Sequence, residues 1–465
     1  MEAVISDSAF AYRLNELLFS ERNNNMKKIL IPMIAAMVGG YAFASVPVIT
    51  PGSVTFKQDS SRRVTIGYEL ENEAAIVTVD ILTNGVSIGA ANTRGMYGDV
   101  HVKVEPGKEK KVYWTPVRSW PDHVVEDGSM TAVVKAWATN APPEWMVVNL
   151  DKTYAGRADA VKYYVSLDQS PDGGDLSKEI YKTSRIVLKR IPAAGVPFFM
   201  GSPADELGRA SSAGAQWTTE DIHLVTLSSD FYIAVYETTQ AQYRKMYGAP
   251  SQFYFMKDGD CRPAENMGID YVRGASSFWP GETRAEAYAS VAETSFLGAL
   301  RKHAGGQTLF DLPTEAQWEF ACRAGTHTAL YTGVDLSDRA TSPELDCIGR
   351  YARNDNNGHT MMTPGNTTVG TDAATSVVGS FRANDFGLYD MLGNVQELCL
   401  DWTHEYSGDE MDPTGPAGDS DSKGICRGGA YCFDAYAVRS AARYQQSRSG
   451  GSRATGFRIC VPLNY

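Results

Sequence analysis

From residue 45 to about 168 the chain alternates apolar and polar positions with a period of two. Val64, Ile66, Tyr68 and Leu70 share one face of one run. Val77, Val79 and Ile81 share a face of the next, which stops at the turn Asn84-Gly85. Val100, Val102 and Val104 repeat the pattern ahead of Pro106-Gly107, and runs at 112–114, 131–137 and 161–165 continue it. A period of two sends neighbouring side chains to opposite faces, so each run predicts a strand packed on one side. Seven or eight such strands between turns predict an all-β immunoglobulin-like sandwich over 45–168. The stretch offers no helix of useful length and no chemistry: His101 and His123 are isolated, and no acid pair recurs at a fixed spacing. It reads as a spacer or binding module. The turn-rich DQSPDGG at 168–174 marks a linker, placed at 169–179.

The pattern changes on both sides of this stretch. Upstream, Lys27 and Lys28 precede an apolar or small run at 29–43, and Ala42-Phe43-Ala44 gives a small-x-small cleavage pattern. Residues 26–44 therefore read as a secretory signal peptide; the run is too short for a membrane span. Residues 1–25 carry no signal features and read as a mis-assigned leader, with Met26 as the start. The expected location is exported: periplasmic, cell-surface or secreted, with no membrane span after cleavage. Downstream, over 180–465, the chain becomes rich in Gly, Trp and loops, with two helices predicted. One spans 239–246. The other spans 314–323, where Thr314 is an N-cap and Gln317 stands at the capping-box spacing.

Composition narrows the classes. The formal charge of −12 and the absence of a basic run beyond the signal argue against nucleic acid, which needs concentrated positive charge. Seven dispersed histidines with no HExxH or HxH spacing argue against zinc. The seven cysteines all lie at or after position 261, and their odd number leaves at least one unpaired within the chain. Two of them frame the stretch CRGGAYC at 426–432. An extended strand would hold Cys426 and Cys432 roughly 20 Å apart, far beyond the roughly 7 Å that a disulfide or a shared metal allows. Cys399 with Cys426 or Cys432, and Cys322 with Cys460, stay open as pairings; buried free thiols are the plainer expectation for Cys322 and Cys399.

The segments RIPAAGVPFFMGSP (190–203), FYIAVYETTQAQY (231–243), FDLPTEAQWEFACRAGT (310–326), NDFGLYDMLGNVQELCLDW (384–402), RGGAY (427–431), RSAAR (439–443) and GFRI (456–459) occur in the order of the formylglycine-generating enzyme, or sulfatase-modifying factor, family. The resemblance covers about 180–465. It implies an α+β variant of the C-type lectin fold with little regular structure. It also implies a protein-modifying chemistry: oxidation of a sulfatase cysteine to formylglycine by molecular oxygen and a copper ion on two thiolates. In the oxidases RGG is followed by serine and then by two cysteines separated by four residues. Here Ala430 replaces the serine, Cys432 lies one position early, and the shorter loop has no second thiol. Copper is therefore not expected, and Cys432 is the one candidate catalytic residue. Asn394 and Glu397 match the family's GNVWE element and are candidate calcium ligands. Asn354-Asp-Asn-Asn-Gly358 reads as an Asx-rich loop. Arg427, Arg439 and Arg443 are expected to pair with Glu397, Glu319 or Asp401. The function read from these residues is an exported, lectin-like binding or structural module that holds a protein, peptide or glycan ligand. A divergent oxidase with Cys432 as its one retained thiol is the alternative, and a maturation factor acting without chemistry a third.

Overall fold

The computed structural model describes residues 46–125, 128–210, 219–248, 253–254, 259–274, 290–354, 374–417 and 423–463. The expected leader and signal peptide, and most of the Asx-rich loop, lie outside these residues. Among the described residues no helix is long and apolar enough to cross a membrane.

The period-two runs form strands. β1 (Val64–Glu71) alternates buried and half-buried positions along its length. β2 (Ala75–Thr83) ends where Asn84 and Gly85 both take positive φ, the geometry of a tight hairpin turn. β3 (Gly107–Trp114) pairs with β1, and β4 (Met130–Ala138) pairs with β2 over its whole length. Two antiparallel sheets result. Val64, Ile66, Leu70, Val77, Val79, Ile81, Val112 and Trp114 meet in one core.

The last of the expected front strands goes elsewhere. β5 (Trp145–Asn149) pairs with β6 (Val161–Tyr164) on one side and β7 (Arg185–Ile191) on the other. β7 pairs with β8 (Phe231–Ala234), and that strand pairs with a strand at the C-terminal end, Cys460–Pro462. Residues 161–164 thus belong to the sheet of the C-terminal region, because alternation specifies a strand but not its neighbour. The segment expected as a linker is packed: Gln169 is buried, and its side-chain amide donates to Val79 O and Thr93 Oγ1 at 3.2 Å each.

Beyond β8 the chain is mostly loop and short strand. α1 (Gln240–Tyr247) and α3 (Glu315–Arg323) start at Thr239 and Thr314, each with a complete capping box through Gln242 or Gln317. α2 (Phe296–His303), capped by Ser295, is a helix the sequence reading did not anticipate. A second sheet joins β9 (Gln396–Trp402), β10 (Lys423–Arg427), β11 (Arg443–Ser447) and β12 (Thr455–Phe457). α3 lies fully buried against it, with Trp318 wholly enclosed.

Candidate functional site

β10 carries Cys426 and ends at Arg427. Gly428 (φ 88°) and Gly429 (φ 70°) then turn the chain through left-handed backbone. A Cβ at 428 would stand 2.8 Å from Met391 O, and one at 429 would stand 2.5 Å from Ala437 O. Only glycine fits such positions. The extended course expected for 426–432 is therefore broken at its centre, a fact that alternation cannot record. Cys426 stays in the sheet opposite Leu398, beside Cys399, while Cys432 leaves with the loop. All seven cysteines are free thiols.

The loop that follows is anchored by backbone hydrogen bonds from Tyr431 N to Asn394 O (2.8 Å) and from Ala352 N to Phe433 O (3.0 Å). Cys432 sits at its rim, 9% exposed. Burial pushes its thiol up to about 12, against the opposing effects of a Tyr431 hydrogen bond and the Arg453 charge. A thiol so held is a proton-bearing neutral group, not a nucleophile. The same Arg453 guanidinium lies 4.5 Å from the ring centre of Tyr254, which is 60% exposed and whose N donates to the buried Glu265 at 2.7 Å. Arg453 and Glu265 both act electrostatically on Tyr431. The sequence reading missed Tyr254, Glu265 and Arg453. Arg453, three residues before GFRI, had a signal in that landmark.

A copper ion on two thiolates does not fit these residues. Ala430, Ala435, Ala437 and Val438 of the loop are fully buried apolar groups, and Cys432 is the loop's one sulfur. Calcium does not fit the expected pair either. Glu397 accepts from Arg458 Nη2 (2.7 Å) and Nε (3.0 Å) and from Trp318 Nε1 (2.8 Å). The amide of Asn394 accepts from Ser376 N (2.7 Å) and donates to Glu237 (2.6 Å). Both side chains are thus engaged within the protein, with the Arg458 guanidinium as the cation beside Glu397. Among the described residues no three His, Cys, Asp or Glu side chains converge on a metal position. Asp390 and Glu237 share this buried centre. Burial, with Asp390 and Glu397 adding to it, pushes Glu237 well above the ordinary carboxylate range, and burial lifts Asp390 to about 6.

The three expected arginines are structural: Arg427 does meet the expected Glu319, while the other partners differ from those expected. Arg427 bonds Glu315 (2.9 Å) and Glu319; Arg443 bonds Glu315 through Nε (2.7 Å) and Nη2 (2.9 Å). Arg439 bonds Glu220 (2.9 Å) and Glu206. None reaches Glu397 or Asp401, because α3 presents its own acids to the sheet first. These buried pairs fix the RGG turn and hence the Cys432 loop.

The comparisons with known proteins follow this geometry. The family described as "Sulfatase-modifying factor enzyme 1-like domain" matches residues 194–462. A formylglycine-generating enzyme of Streptomyces coelicolor is 35% identical over 153 residues, which are 32% of this chain and 45% of that protein. Chaperone protein LppX of Paenibacillus barcinonensis is 30% identical over 197 residues, 38% of this chain and 64% of that protein. The chain thus spans less than two thirds of the length of these curated relatives. Among solved structures, PvdO from Pseudomonas aeruginosa superposes with a TM-score of 0.42 and 22% identity, covering 59% of this chain and 94% of that one. The family match takes in more than half of the chain, and the chain belongs to the family of the sulfatase-modifying factor enzyme 1-like domain.

Proposed function

We propose that this chain is an exported, non-oxidising member of its family: a lectin-like binding module, joined to an immunoglobulin-like sandwich, that holds a protein, peptide or glycan partner. One observation carries the reading. The loop at 430–438, from which the oxidases draw their serine and second thiolate, is here filled by fully buried Ala430, Ala435, Ala437 and Val438, and leaves a neutral Cys432 alone at the rim. Arg453, whose charge reaches Cys432, also carries the stacking face of Tyr254; such groups recognise rather than oxidise. A relative named for chaperone function, rather than for oxidation, is compatible with this.

The test is incubation of the purified protein with copper, oxygen and a sulfatase-motif peptide. Neither stoichiometric Cu(I) binding nor conversion of the peptide cysteine to an aldehyde is expected. Both together would overturn the proposal in favour of a divergent oxidase using Cys432. In a parallel screen of peptide and glycan arrays, ligands retained by the wild type should be lost on Tyr254→Ala and Arg453→Ala.

A further inference from the structure

β6 is the edge strand of its sheet, and position 162 faces the small core formed by Val147, Tyr164, Tyr181 and Val187. Lys162 pairs across the strands with Val147, which pairs in turn with Val187. Two members of this row are buried valines, and the third is a lysine. An ammonium in such a row loses much of its hydration, a cost ordinarily met by a paired carboxylate.

Here no carboxylate meets it. Among the described residues the Lys162 ammonium makes neither a hydrogen bond nor an ion pair. The two acids nearby are already engaged. Asp159 is held by Arg157 through both oxygens, at 2.7 and 2.5 Å, and Asp172 by Arg185 at 2.9 Å. Burial accordingly lowers the Lys162 pKa from its ordinary value, with Asp159 opposing only in part. Lys162, Asp159 and Asp172 line one cavity of about 120 Å³, together with Tyr154, Tyr164, Asn149 and Arg185.

We propose that this cavity is a binding site for a small monoanionic carboxylate, with Lys162 Nζ as its charge partner and Tyr154 and Tyr164 in its lining. The charge sum selects the valence. Asp159 is answered by Arg157, and Asp172 and Asp151 together by Arg185 and Lys245, so Lys162 is the one positive charge in excess. A carboxylate monoanion balances it. A phosphate dianion would set an excess negative charge beside two carboxylates. The volume, well below the roughly 300 Å³ of drug-sized pockets, limits the ligand to a handful of heavy atoms. The site lies on the sheet that β5 and β6 build, apart from the Cys432 rim, and does not depend on the reading of that rim.

The experiment titrates acetate, propionate and benzoate into the full chain at neutral pH, with ionic strength held constant by chloride and with inorganic phosphate as the dianion arm. The wild type should show a saturable upward shift of melting temperature with at least one carboxylate, and Lys162→Met should lose it. Methionine suits a valine row, so this variant should fold with a melting temperature equal to or above that of the wild type. A second readout stays on the wild type: acylation of Lys162, followed by mass spectrometry, should slow in the presence of the binding carboxylate. Equal shifts in wild type and Lys162→Met, no saturable shift, stronger binding of phosphate, or acylation unaffected by carboxylate would each overturn the proposal.

Discussion

Glu315 sits at the first position of α3, fully buried, between Arg427 and Arg443. Burial alone would raise its carboxyl, but the charges of Arg443 and then Arg427 overcome this and hold it at about 2 against an ordinary 4.5. That difference stabilises the charged form in the folded state by about 3 kcal/mol. An independent route gives a similar figure: removing one partner of a buried ion pair costs about 3–5 kcal/mol, because the other charge is left uncompensated. Glu315→Gln leaves Arg427 with Glu319 and leaves Arg443 with no carboxylate, only the carbonyls of Thr219 and His404 and the face of Tyr406. A small offset comes from Asp401, whose carboxyl is raised partly by Glu315 and is relieved when that charge goes. The expected loss is therefore about 3–4 kcal/mol at neutral pH, within the range for breaking a buried pair.

Denaturant unfolding followed by circular dichroism measures it. The pH dependence supplies a second check. A carboxyl whose folded pKa is depressed adds stability above its unfolded value, and that stability fades as pH falls through the folded value. The gap between wild type and Glu315→Gln should thus be full above about pH 4.5 and should close toward pH 2. A gap under about 1 kcal/mol at neutral pH, the scale of an exposed pair, would refute the reasoning, as would a gap that widens on acidification.

Burial raises Asp401 to about 7, so this group's contribution falls as pH rises from about 4 to about 7; Asp401→Asn, which can still accept from Glu315 N, should flatten stability across that window and raise it at pH 8, as urea midpoints will show. Gly429→Ala puts a Cβ 2.5 Å from Ala437 O at φ 70°, and should destabilise by roughly 1–3 kcal/mol in thermal melts, with no gain under any buffer condition. Thr314→Ala removes the cap of α3 and should cost roughly 1–2 kcal/mol, measured the same way. In a thiol-reagent time course on the native protein, exposed Cys347 should react first. Cys432 should react far more slowly, since a thiol held at about 12 is thiolate in only about one molecule in ten thousand at pH 8.

What could be seen in the sequence was what local pattern encodes. The strands around Val64 and Val77 were visible because one buried face leaves a period of two, and α3 because Thr314 and Gln317 close a capping box. β5 was invisible for a related reason: its Met146, Val147 and Val148 are all buried, so it carries no alternation. Partners were harder than elements. Nothing in 161–165 says that its hydrogen bonds go to β5, and nothing in RGGAY says that both glycines are left-handed. At the site, Ala430 and the single sulfur of the loop were plain in the sequence. Arg427 and Arg443 were identified as pairing residues and Glu319 was named among their acids, but Glu315 was not, because the sequence does not show which acids of one helix face the sheet. Asn394 and Glu397 failed as a pair because the spacing of a motif does not show which side chains Arg458 and Glu237 have already taken.

The sheet that runs from β6 through β5, β7 and β8 to Cys460–Pro462 draws on residues 145 to 462, whereas the family match begins at 194. The unit that folds is therefore larger than the stretch the family match covers. A domain exchanged at the family boundary would be cut through the middle of a hydrogen-bonded ladder, leaving β8 with a bare edge where β7 had been. A bare edge of that kind invites aggregation. Any recombination that carried this C-terminal region between proteins would have had to take β5, β6 and β7 with it, or find other strands to close the same gap.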